Sequence, residues 1–232
     1  MSEKKFCVIG LGYFGYNLAL RLAEAGAEVL AVDHHQDRID DLADKVTLAV
    51  CMDSKDAKAL KSLNLQEMDA VIIAIGKDFN NSILTTSHLQ EMGVKNIIAR
   101  VTTPVHERLL KLMNVNEVLV PEAEAAHQLS KRLMIAGVKG SMMINNDYGI
   151  YEIVAPEQFC GKKIIDINLR QNYSLNLVTI KRISQSGGSQ VKGEMEESEV
   201  IGVPKPDQVI NKNDILVLFG KENDIKKLLN QL

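Results

Sequence analysis

The first half of this 232-residue chain consists of short apolar runs separated by longer amphipathic segments. The run at 69–76, for example, reads Asp-Ala-Val-Ile-Ile-Ala-Ile-Gly and shows no alternation of apolar and polar side chains. Such runs are typical of parallel β-strands that helices cover on both faces. We predict six of these strands, at residues 6–10, 28–33, 46–51, 70–76, 96–101 and 117–120.

The segments between these strands have helical spacing. Helices are predicted at 37–45, 54–63, 80–92 and 104–113, with Ser54 as an N-cap and Pro104 in a first turn. A further helix at 121–136 carries an apolar stripe, and glycines at 137 and 140 end it. Residues 1–137 are therefore predicted to form a Rossmann-type, doubly wound parallel α/β sheet.

The pattern changes after a boundary near 137–145. Strands are predicted at 149–155, 174–182 and 214–220, and a closing helix at 223–232. Turn-rich segments separate these elements, and no second glycine fingerprint is present. A small α+β C-terminal domain is therefore expected at 145–232.

Charge and hydropathy exclude several classes of protein. The formal net charge is −3, so no global basic field exists to attract nucleic acid, and none is expected as a partner. The apolar runs are far shorter than the roughly 20 residues that span a bilayer. The N-terminus lacks the apolar core of a signal peptide, and we expect the chain to be cytoplasmic.

A glycine fingerprint follows the first predicted strand. Gly10, Gly12 and Gly15 form GxGxxG, in which the glycines permit a tight turn, close approach of a pyrophosphate and close packing of helix on strand. Asp33 ends the second strand about 20 residues later, where a carboxylate binds ribose hydroxyls and repels a 2′-phosphate. This arrangement favours NAD or an adenosine nucleotide over NADP. A glycine turn that binds nothing is the alternative.

Several segments together resemble the RCK family, the regulator-of-potassium-conductance subunits of the bacterial Trk and Ktr uptake systems. The resemblance covers essentially the whole chain and rests on the segments at 8–15, 29–33, 69–76, 97–101, 118–122, 161–170, 176–182 and 204–220. It implies a cytosolic homodimer that assembles into a ring, expected to be octameric. The ring would dock beneath a potassium-translocating membrane subunit of the Trk or Ktr type.

The resemblance also implies an adenine nucleotide, ATP, ADP or NAD(H), in the N-terminal domain. The family's nucleotide pocket falls on Gly10, Gly12, Tyr13, Phe14, Gly15, Asp33, His34, Asp53, Ser54, Ile75, Gly76, Lys77, Arg100 and Glu122. Asp33 and His34 would lie at the ribose, Asp53 and Ser54 near the adenine. Tyr13 departs from the family, because many Ktr-type members carry an arginine there.

Two of these positions have simpler alternative roles. Arg100 could bind a phosphate or form a surface ion pair. Glu122 matches a family carboxylate that helps to hold a cation beside the nucleotide phosphates, but it could also be an acidic residue that the helix dipole favours. In the second domain, Ile164, Ile165 and the pair Arg170 and Asn176 align with positions that bind cyclic di-AMP in some members. Asn168 replaces an acid often found beside them.

The resulting hypothesis is a non-enzymatic regulatory subunit that gates a Trk/Ktr-type potassium uptake channel through a ligand-driven conformational change. A small NAD-dependent oxidoreductase is the alternative. It would need an acid or base above the nicotinamide, and the segment after residue 145 contains no histidine. A redox-sensing transcription regulator would need a basic helix-turn-helix segment, which the pattern does not indicate.

Overall fold

The computed structural model describes residues 4–135, 137–145, 147–183 and 198–230. Its first part alternates strands and helices as predicted. The strands are β1 (Lys5–Ile9), β2 (Glu28–Asp33), β3 (Leu48–Cys51), β4 (Ala70–Ile73), β5 (Ile97–Arg100) and β6 (Glu117–Leu119). The helices are α1 (Tyr13–Glu24), α2 (Gln36–Asp40), α3 (Ala57–Lys61), α4 (Phe79–Glu91), α5 (Pro104–Leu112) and α6 (Pro121–Met134), and a 3-10 turn spans Leu65–Glu67.

The six strands form one parallel sheet in the order β3-β2-β1-β4-β5-β6. Two apolar clusters lie on its opposite faces. One includes Cys7, Ile9 and Ile73, and the other includes Val8 and Ile72, so neighbouring residues of one strand point to different clusters. The sheet is therefore buried on both sides, and the predicted doubly wound Rossmann-type fold is confirmed.

Local details of the first part differ from the predictions. Ser54 is not the cap of α3, because the side chain of Asp56 accepts hydrogen bonds from the amides of Lys58 and Ala59 at 2.9 and 3.2 Å. Ser54 is instead buried and bonded to α4. Pro104 occupies the first turn of α5, as expected, and Thr103 caps that helix.

The second part contains β7 (Val138–Met143), β8 (Tyr148–Val154), β9 (Asn176–Ile183), β10 (Ser198–Val200) and β11 (Ile215–Lys221). Its helices are α7 (Ile164–Ile167), α8 (Leu169–Tyr173) and α9 (Glu222–Asn230), with a 3-10 turn at Glu157–Phe159. The strands form an antiparallel sheet in the order β10-β9-β11-β8-β7. The helices and the sheet share one apolar core, which confirms the predicted small α+β domain.

The segment between the two predicted domains contains a strand. β7 pairs with β8, and its register shifts between Val138 and Gly140. Packing divides the chain into two compact units after Ala123, near the start of α6. The domain limits at 137 and 145 stay a prediction. Among the described residues, no helix is both long and apolar enough to cross a membrane.

His106 is a buried titratable group of the first unit. It lies in the first turn of α5, is 1% exposed, and pairs through Nε2 with Ser82 Oγ of α4 at 3.1 Å. Its ring packs edge-to-face with the ring of Phe79, and its Nδ1 has no hydrogen-bond partner among the residues that the structure describes. Burial lowers the pKa of His106 below its ordinary value of 6.5, because the charged form loses its hydration.

This burial makes the stability of the first unit sensitive to mild acid. Below pH 6.5 the unfolded chain binds a proton that the folded chain does not. The free energy of unfolding therefore decreases as the pH is lowered, by at most about 1.4 kcal/mol per pH unit. We expect His106→Gln to flatten the dependence of the urea midpoint between about pH 7.5 and about pH 5.5. His127→Gln, at an exposed position, is the control. An unchanged slope in the His106 variant would contradict the assignment.

Candidate functional site

A cleft of about 810 Å³ opens at the carboxyl ends of β1, β2, β4 and β5. The chain reverses its direction across the sheet between β1 and β4, because β2 and β3 lie on one side of β1 and β4 to β6 on the other. Open α/β sheets bind ligands at this kind of switch point. The size suits a ligand of nucleotide dimensions.

The glycine loop forms the floor of the cleft. Gly10 has a φ of +96°, a conformation that residues with side chains rarely adopt, and its amide donates to the carbonyl of Val32 at 2.7 Å. A Cβ atom at Gly15 would overlap the carbonyl oxygen of Gly10, so only glycine lets α1 approach β1 this closely. A Cβ atom at Gly12 would meet no atom of the described residues within 4 Å. Gly12 therefore keeps the approach to α1 open.

The start of α1 is suited to an anion. Gly12 is the N-cap and supplies no side chain to bond the first amides, and the first turn contains no acidic residue. Unpaired amides and the positive end of the helix dipole together form a phosphate-binding site. Tyr13, the first residue of α1, is 92% exposed at the edge of this site.

Asp33 is the buried acid of the cleft, with 4% of its surface exposed. Its Oδ2 accepts the amide of Leu11 at 2.6 Å and Arg38 Nη1 at 3.0 Å. Its Oδ1 accepts the amide and the ring Nδ1 of His35, both at 2.9 Å. Burial alone would raise the pKa of Asp33, but these four hydrogen bonds outweigh it and lower the pKa to about 2. The carboxylate is therefore charged at neutral pH.

Asp33, His34 and His35 place three potential metal-ligand atoms within 4.8 Å of one another. His34 Nδ1 lies 3.4 Å from Asp33 Oδ1. However, both carboxylate oxygens are already hydrogen-bonded, and the guanidinium of Arg38 opposes a second cation at Asp33. We therefore interpret this cluster as part of the hydrogen-bonding site rather than as a metal centre.

Arg100, the last residue of β5, brings positive charge to the opposite end of the cleft. Its Nη2 donates to Glu122 Oε1 at the start of α6, and its guanidinium lies over the ring of Phe14, 5.6 Å from the centroid. A Cβ atom at Gly76 would come within 2.8 Å of Arg100 Nη1. The Nε of Arg100 is buried and has no hydrogen-bond partner in the described part of the chain. Arg100 itself lines the cleft, so its guanidinium charge faces an anion that enters there.

A buried polar network lies beside the cleft and includes two of its lining residues, Ser54 and Asn81. The amide oxygen of Asn81 accepts the hydroxyls of Ser54 and Thr85 at 3.1 and 3.0 Å. This fixes the orientation of the side chain of Asn81, whose nitrogen is then a donor beside the cleft. Ser54, which was predicted to lie near the adenine, therefore donates its proton to Asn81.

The cleft brings together ten of the fourteen predicted positions: Gly10, Gly12, Tyr13, Asp33, His34, Ser54, Ile75, Gly76, Lys77 and Arg100. The other four lie outside its lining. Phe14 and Gly15 pack beneath it, and Glu122 reaches it only through Arg100. Asp53 is exposed and accepts the amide of Lys55.

Sequence reasoning missed several lining residues, including His35, Arg38, Met52, Asp78, Asn81 and Thr102. The motif DHH at 33–35 is a signal that could have indicated His35, whereas Arg38, in the first turn of α2, carries no such signal. In the second unit, Arg170 Nε donates to Asn176 Oδ1 at 2.8 Å, while Ile165 is exposed and Ile164 packs against the core.

The fold and the cleft define a Rossmann-type protein with a small antiparallel C-terminal domain. Family models agree: the TrkA-N domain matches residues 6–121, and the TrkA-C domain matches residues 149–232. The chain therefore belongs to the TrkA family of RCK proteins, as its motifs suggested.

Similar proteins extend along the whole chain. The Ktr system potassium uptake protein C of Bacillus subtilis is 33% identical over 97% of this chain and 96% of its own length. The Ktr system potassium uptake protein A of the same organism is 29% identical over 100% and 98%. The solved structure of the GsuK channel bound to NAD shares the fold, with a TM-score of 0.60, 20% identity, and coverage of 97% of this chain and 38% of that one.

The two glycines of the loop should respond differently to alanine. Gly15→Ala should destabilise the first unit by about 1–3 kcal/mol or more, because its methyl group overlaps backbone. Gly12→Ala should fold normally, yet weaken nucleotide binding, because its methyl group points into free space at the helix start. Thermal unfolding and calorimetric titration with ADP measure the two effects. Equal stability losses in both variants would contradict this description of the loop.

Proposed function

We propose that the chain is a cytosolic regulatory subunit whose cleft binds an adenine nucleotide, ATP, ADP or NAD(H), and thereby gates a Trk- or Ktr-type potassium uptake channel. The main observation behind this proposal is the arrangement of the cleft. Asp33 and the open start of α1 line the same cleft, and Arg100 lies at the end of the cleft opposite Asp33. These groups match a ribose and a diphosphate. The similar Ktr proteins indicate the process, which is potassium uptake.

Each part of the ligand has a matching group. The diphosphate would lie on the amides at the start of α1, with the guanidinium of Arg100 and the ammonium of Lys77 as further donors and charges. The ribose would lie at Asp33. Since the pKa of Asp33 is about 2, its negative charge persists at neutral pH and repels a 2′-phosphate. NAD(H) is therefore favoured over NADP(H).

Gating would begin at the contact between Arg100 and Glu122. A phosphate that binds the guanidinium of Arg100 competes with the carboxylate of Glu122 at the start of α6. Glu122 could then take a cation beside the phosphates. Moving a two-state ring from 1:99 to 99:1 requires about 5.5 kcal/mol, which is roughly 0.7 kcal/mol for each of about eight sites. One phosphate contact is sufficient for that share.

The remaining parts of the proposal follow from the family. The subunit would form homodimers within an octameric ring on the cytoplasmic face of its membrane partner, and would not act as an enzyme. Cyclic di-AMP could bind the C-terminal domain near Ile164, Ile165, Arg170 and Asn176. We place the limits of the two functional domains at 1–137 and 145–232. The relatives named as Ktr system potassium uptake proteins support a role in potassium uptake.

A nucleotide panel tests the proposal. Calorimetric titration of the purified chain should detect ATP, ADP, NAD⁺ and NADH at micromolar to low millimolar dissociation constants. NADP⁺ should bind at least about tenfold more weakly than NAD⁺, which corresponds to about 1.4 kcal/mol of repulsion at Asp33. If none of these nucleotides binds at up to low millimolar concentration, no ligand is available to drive gating, and the proposal is contradicted.

Arg100 separates phosphate recognition from a structural role. Arg100→Gln should weaken ADP binding by about tenfold to hundredfold, because a charge-assisted hydrogen bond contributes roughly 1.5–3 kcal/mol. Glu122→Gln, measured with a chelator, should bind ADP at least as tightly as the native chain, because it releases Arg100. Arg21→Gln, on the exposed side of α1, is the control. Weaker binding in the Glu122 variant would show that the ion pair itself supports the site.

A further inference from the structure

The carboxylate of Asp33 has no vacant acceptor position in this structure. Each carboxylate oxygen can accept about two hydrogen bonds, and each already accepts two. Oδ2 receives the amide of Leu11 and Arg38 Nη1, at 2.6 and 3.0 Å. Oδ1 receives the amide and the ring of His35, both at 2.9 Å. A ribose that binds here must therefore displace existing donors.

The four donors differ in their freedom to leave. The amides of Leu11 and His35 belong to the backbone of the glycine loop and of the turn before α2, so they are fixed by the fold. The side chains of Arg38 and His35 are 43% and 50% exposed and line the cleft, so they can move away from Asp33. These two side chains therefore occupy the positions that the 2′- and 3′-hydroxyls would take.

We propose that Arg38, assisted by the ring of His35, is an internal competitor of the ribose, and that it holds the nucleotide affinity below what Asp33 could otherwise provide. This inference rests on the proposed nucleotide function. Binding of a ribose exchanges a hydrogen bond between two opposite charges, Arg38 and Asp33, for a hydrogen bond from an uncharged hydroxyl to the same carboxylate, which lacks the attraction between the two full charges. The ligand class is any nucleotide with a free cis-diol.

The competing role of Arg38 predicts an unusual direction of effect. A cation in a site for an anionic ligand ordinarily assists binding, so its removal should weaken affinity. An internal competitor acts in the opposite direction, because its removal leaves an acceptor of Asp33 free for the ribose. A ligand that has the phosphates but lacks the ribose hydroxyls distinguishes the two roles. Attraction by a cation acts on the phosphates of both ligands, whereas competition with the diol acts only on the ligand that has the hydroxyls.

The test compares ADP with 2′,3′-dideoxy-ADP on the full chain. Arg38→Met keeps the apolar stem but removes the donor and the charge. The matched control is Arg21→Met, which makes the same change on the surface of α1. Calorimetry gives both dissociation constants for each protein, and circular dichroism confirms that each variant is folded. The ratio of the dideoxy-ADP constant to the ADP constant cancels general charge effects.

We expect Arg38→Met to raise this ratio about threefold to tenfold, the size of one net hydrogen bond, and Arg21→Met to leave it unchanged. His35→Phe should raise it in the same direction. An unchanged or lower ratio in Arg38→Met, with ADP still bound, would overturn the internal competitor but leave the proposed function intact. Failure of all the proteins, native included, to bind ADP would overturn both.

Discussion

The hydrogen bond from the amide of Leu11 to Asp33 Oδ2 is the interaction on which the site depends. It joins the end of β2 to the glycine loop after β1, across 22 residues of sequence. Because the carboxylate is buried, loss of this backbone donor would remove one of the four hydrogen bonds that compensate its charge, which is more costly than the loss of an exposed contact. The loop conformation and the charge of Asp33 are therefore established together.

The rest of the cleft is arranged around that pair. Close packing of Gly15 against Gly10 sets the direction of α1, and this aims the helix start at the space in front of Asp33. Across the cleft, the stacking of Arg100 on Phe14 ties the phosphate-side charge to the same helix. Glu122 then connects this charge to α6. A ligand that contacts Arg100 thus acts on a residue that already bonds the chain leading out of the first sheet.

Much of this architecture could be predicted from the sequence because its signals are local. Uninterrupted apolar runs specify buried parallel strands, and the glycine spacing specifies the loop. β7 is not predicted because a glycine and polar residues interrupt its apolar pattern. It forms a strand through its hydrogen-bonded pairing with β8. Ser54 was assigned as a cap because its type suits one, yet its partners Asn81 and Thr85 are distant in sequence. Arg38 carries no motif, and only the turn into α2 brings it to Asp33.

The central claim is that an adenine nucleotide lies with its ribose on Asp33 and its diphosphate at the start of α1. A crystal structure of the chain with bound ADP tests this most directly. The account predicts both ribose hydroxyls within hydrogen-bond distance of the Asp33 carboxylate, and phosphate oxygens on the amides that follow Gly12. Density for ADP elsewhere on the protein, with the contacts of Asp33 to Arg38 and His35 intact, would contradict it.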